Sequence, residues 1–235
     1  MDRWIFPRVG LESSSAVSLL CRRQMSAWPA MEVLGETAAV HLGRPLADVP
    51  LIELYSCFPA AVEVQQRALG LDLLSTPTIT GGMAFAGGPF NNFVLQALVA
   101  VVERLRAGDG DPTAGDLGLV STVSGLLTKP GLGVWATRPE QRPPLLSDLA
   151  YEAAAVTETI PAVETLDGYA GPGRVAAYTV TFTGLEPERV VAVCDTADGR
   201  RCVSFSDDQV LAAQVCDEEL VGSPVLIGEG AFVLG

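Results

Sequence analysis

The chain has 235 residues, 49% of them hydrophobic and only 18% charged, with a net charge of −13 and a mean hydropathy of +0.33. That hydrophobicity excludes a disordered chain. The longest apolar run, 93–102, is broken by Gln96 and falls far short of the roughly 20 residues a membrane span needs. Such a charge-poor chain suits a folded, soluble protein with some apolar surface reserved for a partner.

In chain order, residues 31–42 read as a helix, with Gly43 and Pro45 punctuating its end. Residues 51–56 form a short apolar run that suits a buried strand. Pro59 then sits where a helix starts, and 60–69 carry helical spacing. The strongest helical pattern runs over 89–106, where Phe90, Phe93, Val94, Ala97, Leu98, Val101 and Leu105 recur every three to four residues. Residues 117–123 and 133–137 read as buried strands. Alternation of this kind predicts a layered α/β domain of βαβαβ type over 1–139.

Prolines 139, 143, 144, 161 and 172 mark a linker over 140–172, with a short helix at 146–156. From Arg174 the period changes to two. Strands are expected at 177–183, 189–195, 200–206, 221–228 and 231–234, with Asp198-Gly199 as a hairpin turn. That predicts a small all-β barrel, OB-like, over 173–235.

The charge is uneven. Residues 1–145 hold 13 acidic and 11 basic residues, 146–172 hold 5 acidic and no basic ones, and 173–235 hold 10 acidic and 4 basic ones. An acidic C-terminal part argues against nucleic-acid binding and against docking on anionic membranes. The five cysteines, Cys21, Cys57, Cys194, Cys202 and Cys216, contain no CxxC pair, so no zinc site and no other metal is expected. Met1 leads straight into Asp2 and Arg3 rather than a signal peptide, so a cytoplasmic location with reduced thiols is expected. Cys194 and Cys202 are placed to face each other across a hairpin.

Three segments carry candidate chemistry. Tyr55-Ser56-Cys57-Phe58 follows a buried strand. Gly81-Gly82, Gly87-Gly88-Pro89 and Asn91-Asn92 lead into the long helix, where free N–H groups can face an anion or oxyanion. The segment lacks the Gly-Lys-Ser/Thr of a P-loop. Ser124, Gly125 and Lys129 close a third segment, 121–129, after another strand.

In this order and spacing, Tyr-Ser-Cys-Phe-Pro, Thr-Gly-Gly-x-x-x-x-Gly-Gly-Pro-x-Asn-Asn and Leu-Thr-Lys resemble the C-terminal half of thiolases. The resemblance is to the acetyl-CoA acetyltransferase group that carries an additional C-terminal domain. It implies an acyl-CoA or other acyl thioester as substrate, acyltransferase chemistry in lipid metabolism, and no cofactor. Tyr55 stands where the family has the first residue of its Asn-Glu-Ala-Phe or His-Asp-Cys-Phe element, which helps bind a catalytic water. Gly88 takes the place of the histidine of the Gly-His-Pro element. Ser124-Gly125 stand where the family has Cys-x-Gly. The nucleophilic cysteine belongs to an N-terminal half that this sequence does not contain.

The departures have chemical consequences. Glycine cannot transfer a proton or donate a side-chain hydrogen bond, and loss of such a group costs on the order of 10²–10⁴ in rate. A chain inactive by itself and completed by a thiolase-like partner is therefore expected, as a homo- or hetero-oligomer. A thiolase subunit packs two similar α/β domains together, so the 31–42 helix and the long helix are expected to expose apolar faces. Two other readings stand beside this one. One is a non-catalytic scaffold subunit. The other is a thiolase-like retro-aldolase subunit of sterol side-chain breakdown, with Tyr55 as acid or base. Cys57 is the candidate nucleophile. His41 is expected to cap its helix or face water, and Lys129 to face solvent or an acyl-CoA phosphate.

Overall fold

The computed structural model describes residues 4–14, 17–90, 92–107 and 117–235. The chain divides into two compact units. One takes in the described residues up to Leu19 and those from Gln24 to Ile160; the other takes in Leu20–Arg23 and Pro161–Gly235.

The first unit is a mixed α/β layer structure. Its elements are β1 (Phe6–Glu12), α1 (Pro29–Leu42), β2 (Leu51–Glu53), α2 (Pro59–Ala68), α3 (Met83–Ala86), α4 (Phe93–Ala107), β3 (Leu117–Ser124), β4 (Lys129–Ala136), β5 (Leu145–Asp148) and α5 (Ala150–Glu158). The five strands form one sheet in the order β2-β3-β4-β1-β5. The pairs β2–β3 and β1–β5 are parallel, and the two central pairs are antiparallel.

Alternation sorts the side chains to two faces. Val9, Leu11, Leu119, Leu132, Val134 and Ala136 pack with Met31 and Leu34 of α1 in the main core. On the other face, Phe93, Ala97, Val101 and Leu105 of α4 pack over Val120. Their spacing of four is the apolar stripe read from the sequence. Gly118 belongs to this face and makes the approach possible: a Cβ there would lie 2.3 Å from Val101 Cγ1.

Several expectations need correction. The long helix begins at Phe93, not at residue 89, because residues 87–89 are irregular and Phe90 and Asn92 lie in turns. Residues 145–158 lie within the span expected to be a linker, yet they supply β5, paired in register with β1, and α5, which packs on α1. The N-terminal strand β1 is an addition to the elements expected, since Pro7, Arg8, Gly10 and Glu12 interrupt any apolar run.

The second unit contains β6 (Thr165–Leu166), β7 (Gly171–Thr183), β8 (Glu186–Thr196), β9 (Arg201–Ser206), α6 (Gln209–Gln214), β10 (Pro224–Gly228) and β11 (Ala231–Leu234). The sheet order is β11-β10-β7-β8-β9-β6, and β11 also pairs with β9 at Ala231–Phe205. Helix α6 is an addition to the strands expected. Asp208 caps it, accepting from the Val210 and Leu211 N–H groups. Buried Arg201 donates to Asp195 at 2.7 Å and to the carbonyls of Leu20 and Arg22, which ties residues 20–23 to this sheet.

Cys194 and Cys202 are register partners across β8 and β9, both buried as free thiols. Burial, with Cys202 and Asp195 adding to it, pushes the Cys194 thiol up to about 12. Burial raises Cys202 as well. An unfolded thiol ionises near 8.5. The folded state therefore holds protons that the unfolded state releases, and stability falls as pH rises from about 8.5 toward 12. Cys194→Val should flatten that decline in denaturant titrations of the chain at stepped alkaline pH. An unchanged slope would remove Cys194 as its source.

Candidate functional site

Strands β2 and β3 are parallel neighbours, and their C-terminal ends deliver two of the three sequence segments to one place. The site is built around two buried polar residues of the first unit.

The first is Glu53, the last residue of β2 and fully buried. Its Oε1 accepts from Thr78 Oγ1 at 2.8 Å and Thr80 Oγ1 at 3.0 Å. Its Oε2 accepts from the Ile79 N–H at 2.6 Å and the Thr80 N–H at 2.8 Å. A buried carboxylate is tolerated only when its lone pairs are met in this way. The Gly82 N–H then donates to Thr80 Oγ1 at 3.1 Å, and the Met83 N–H donates to Ser56 Oγ at 2.9 Å. The glycine segment is thereby fixed to the end of β2.

The second is Gln65 of α2, also fully buried. The Tyr55 N–H donates to Ser121 Oγ at 3.0 Å, and Ser121 Oγ donates to Gln65 Oε1 at 2.6 Å. Gln65 Nε2 returns to the Tyr55 carbonyl at 2.9 Å. This closed circuit locks the Tyr55 backbone, and the Tyr55 ring meets Phe93 edge-on with centroids 5.6 Å apart.

Beside this circuit lies a cleft of about 470 Å³. Tyr55, Cys57, Phe58, Val94 and residues 122–127 line it, with Leu19, Ala60 and Ala61. One wall is the β3–β4 hairpin, where Gly125, Leu126 and Leu127 have φ of 60°, 52° and 63°. Left-handed backbone at a non-glycine residue costs about 1–2 kcal/mol, so Leu126 and Leu127 are held over the cleft at some expense. Strain of this kind concentrates at binding sites.

The cleft brings together Tyr55, Cys57, Ser124 and Gly125. Gly81, Gly82, Gly87, Gly88 and Asn92 do not line it, and Asn91 lies outside the described residues. Gly81, Gly82 and Gly87 all have positive φ and shape the turn around α3, a single turn of four residues rather than the opening of the long helix. Gly88 is backed by Met83: a Cβ there would lie 3.0 Å from its Sδ and 3.3 Å from its Cγ. Methionine thus crowds the position where the thiolase resemblance has an imidazole. Burial pushes the Cys57 thiol up, against partial relief from backbone hydrogen bonds, so it stays protonated near neutrality. His41 sits in the last turn of α1, where its carbonyl accepts from Arg142, and burial followed by Arg142 and Arg8 lowers its pKa. Lys129 begins β4 and pairs with Ser124, outside the cleft. Among the described residues no cluster of metal-binding side chains occurs, and no helix is long and apolar enough to cross a membrane.

One solved structure bears closely on this arrangement. It is the crystal structure of a monomeric SCP2-thiolase-like protein of type 1 from Mycobacterium smegmatis, matched with a TM-score of 0.82 at 25% identity. The fold is thiolase-like. The match takes in 99% of this chain but 51% of that one, so the chain spans about half the length of that structure. No protein-family model matches the sequence, and no curated protein matches it either.

Glu53 and Gln65 were not singled out from sequence. The signal for Glu53 was present, as one acidic residue in the apolar run 51–56. Glu53→Gln leaves one acceptor oxygen and turns an NH₂ toward the remaining donors. It should cost about 2–4 kcal/mol in urea unfolding and speed amide exchange at residues 79–83. Wild-type exchange at those amides would show that the segment is held by other contacts.

Proposed function

We propose that the first unit binds the acyl part of an acyl thioester in the cleft beside Tyr55, and that the protein belongs to thiolase-type acyl transfer. The cleft itself is the observation that carries this. It is chiefly apolar, it sits at the ends of parallel strands in a thiolase-like fold, and its rim carries a few hydroxyls. Phe58, Val94, Val123, Leu126 and Leu127 offer contacts for an alkyl chain. Thr122 and Ser124 offer hydrogen bonds to the thioester end.

In this reading the chain has no acetyl-CoA C-acetyltransferase activity by itself. Gly88 supplies no imidazole, and Cys57 is held as a thiol. A thiolase-like partner chain supplies the missing thiolate. The acyl carbon leaves the CoA sulfur for the partner's sulfur, and the displaced CoA sulfur takes up the partner thiol's proton. The second unit is read as a small OB-like barrel appended to that machinery, a reading supported by the pairing of β11 with β9, which joins the first and fifth strands of the order β11-β10-β7-β8-β9-β6.

Calorimetry of the whole chain with acyl-CoAs of increasing length tests the cleft. Affinity should rise up to about fourfold per methylene, the value of about 0.8 kcal/mol per buried CH₂. Phe58→Ala should weaken binding of the long-chain ligand about tenfold. Thiolysis of acetoacetyl-CoA should not exceed that of an inert control protein. Equal affinity for free CoA and long-chain acyl-CoA would sink the acyl reading, and turnover would sink the inactivity.

A further inference from the structure

In the second unit the hairpin of β7 and β8 outruns its neighbours. Strand β10 pairs with β7 only over 171–174, and β9 pairs with β8 only over 190–195. The chain leading into β10 covers one residue more: the Val175 N–H donates to the Ser223 carbonyl at 3.0 Å, and the Gly222 N–H donates to the Val175 carbonyl at 2.8 Å. Beyond that point the register with β8 sets the direction of each backbone group. The N–H and C=O of Ala177, Thr179 and Thr181 face β8, opposite Val193, Val191 and Arg189. Those of Tyr178, Val180 and Phe182 face the other way, and among the described residues no strand pairs with them.

The hairpin thus has two open edges, and they differ in kind. The overhang of β8 reads Glu186-Pro187-Glu188-Arg189, with the charges and proline that discourage pairing. The open length of β7 runs from Ala177 to Thr183 without a charge, a proline or a glycine, and every residue after Ala177 is β-branched or aromatic. Thr179, Thr181, Phe182 and Thr183 are exposed. Acidic residues stand at both ends of this edge. Glu186 and Glu188 lie at the hairpin tip, where Glu188 accepts from Thr183 Oγ1 at 2.8 Å. Asp217, Glu218 and Glu219 are exposed near its base, where the Tyr178 hydroxyl donates to the Glu218 carbonyl at 3.2 Å. Among the described residues none of these five carboxylates is ion-paired, whereas Arg189, Arg200 and Arg201 are held by Asp207, Asp198 and Asp195.

We propose that this edge accepts an extended segment of a partner protein as an added strand, one with an uncharged, β-branched centre and basic residues on both sides. Main-chain bonds to Tyr178, Val180 and Phe182 supply the pairing, and the acidic ends select the charge. The same ends oppose a second copy of this chain. An antiparallel β7–β7 pair centred on Val180 would set the acidic tip of each copy against the acidic base of the other, and like charges facing each other across strands are destabilising. The edge belongs to the second unit, so the proposal stands or falls independently of what the cleft beside Tyr55 binds.

Titration of the full chain with the peptide Arg-Arg-Thr-Val-Thr-Val-Thr-Arg-Arg, followed by nuclear magnetic resonance, tests this. The peptide should bind and slow amide exchange at Tyr178, Val180 and Phe182, with little change at Ala177, Thr179 and Thr181, whose N–H groups already face β8. Replacing its four arginines by glutamates should weaken binding at least about tenfold. Glu218→Lys with Glu219→Lys should weaken the arginine peptide about tenfold and favour the glutamate one. Phe182→Pro removes one outward N–H at an exposed position and should weaken the arginine peptide about tenfold, with circular dichroism unchanged. No binding at millimolar peptide, equal affinity for the two peptides, or binding without slowed exchange at Tyr178, Val180 and Phe182 overturns the proposal. So does slowing of those amides with rising protein concentration alone, which would place a second copy on the edge.

Discussion

The Glu53 carboxylate is the constraint on which the site depends. A charged group with no solvent exposure would be costly if any lone pair lacked a partner. Four donors from Thr78, Ile79 and Thr80 meet it, and all four come from a segment 25 to 27 residues away. The carboxylate therefore works as a long-range tie. Where β2 ends, the glycine segment must return. Strand alternation does the rest: Leu54 points into the main core, while Tyr55 turns to the α4 side and meets Phe93. The Gln65–Ser121 circuit closes the same junction from the α2 side and holds the backbone of Tyr55, a residue of the cleft.

This explains which parts of the molecule were legible in the sequence. Elements with a full apolar stripe or run could be read, such as α4, β3 and most of β7 to β11. Strand β1 could not, because only Val9 and Leu11 face the core, a register break at Arg8 interrupts the alternation, and Gly10 and Glu12 lie on the other side. Strand β5 follows Pro143 and Pro144 and is four residues long, too short to show a period. The candidate residues Tyr55, Cys57, Ser124 and Gly125 were legible because each sits beside a strand end. The glycines were read as a ligand loop because sequence gives their conformational freedom but not their neighbours. Gly82 packs against Ser56 and Gly88 against Met83. Long-range hydrogen bonds such as those of Glu53 leave no local pattern at all.

Composition also acquires a location. Residues 1–145, with 13 acidic and 11 basic side chains, include the exposed Leu95 and Val99 of α4, while the later residues carry most of the negative charge.

The cleft's chemistry follows from the same economy of charge. Its described lining contains no arginine, lysine or histidine. An apolar wall suits an alkyl chain because it removes methylenes from water. The same wall withdraws water from Cys57 and offers no cation in return, so the thiol is held above its ordinary value. A nucleophilic cysteine needs the opposite balance, with an imidazolium or helix dipole to offset the desolvation. Gly88 carries no imidazole, and Met83 packs against it. Binding an acyl group and activating a thiolate thus place conflicting demands on this surface. The residues present favour the first, which is the reason for proposing that the thiolate comes from a different chain.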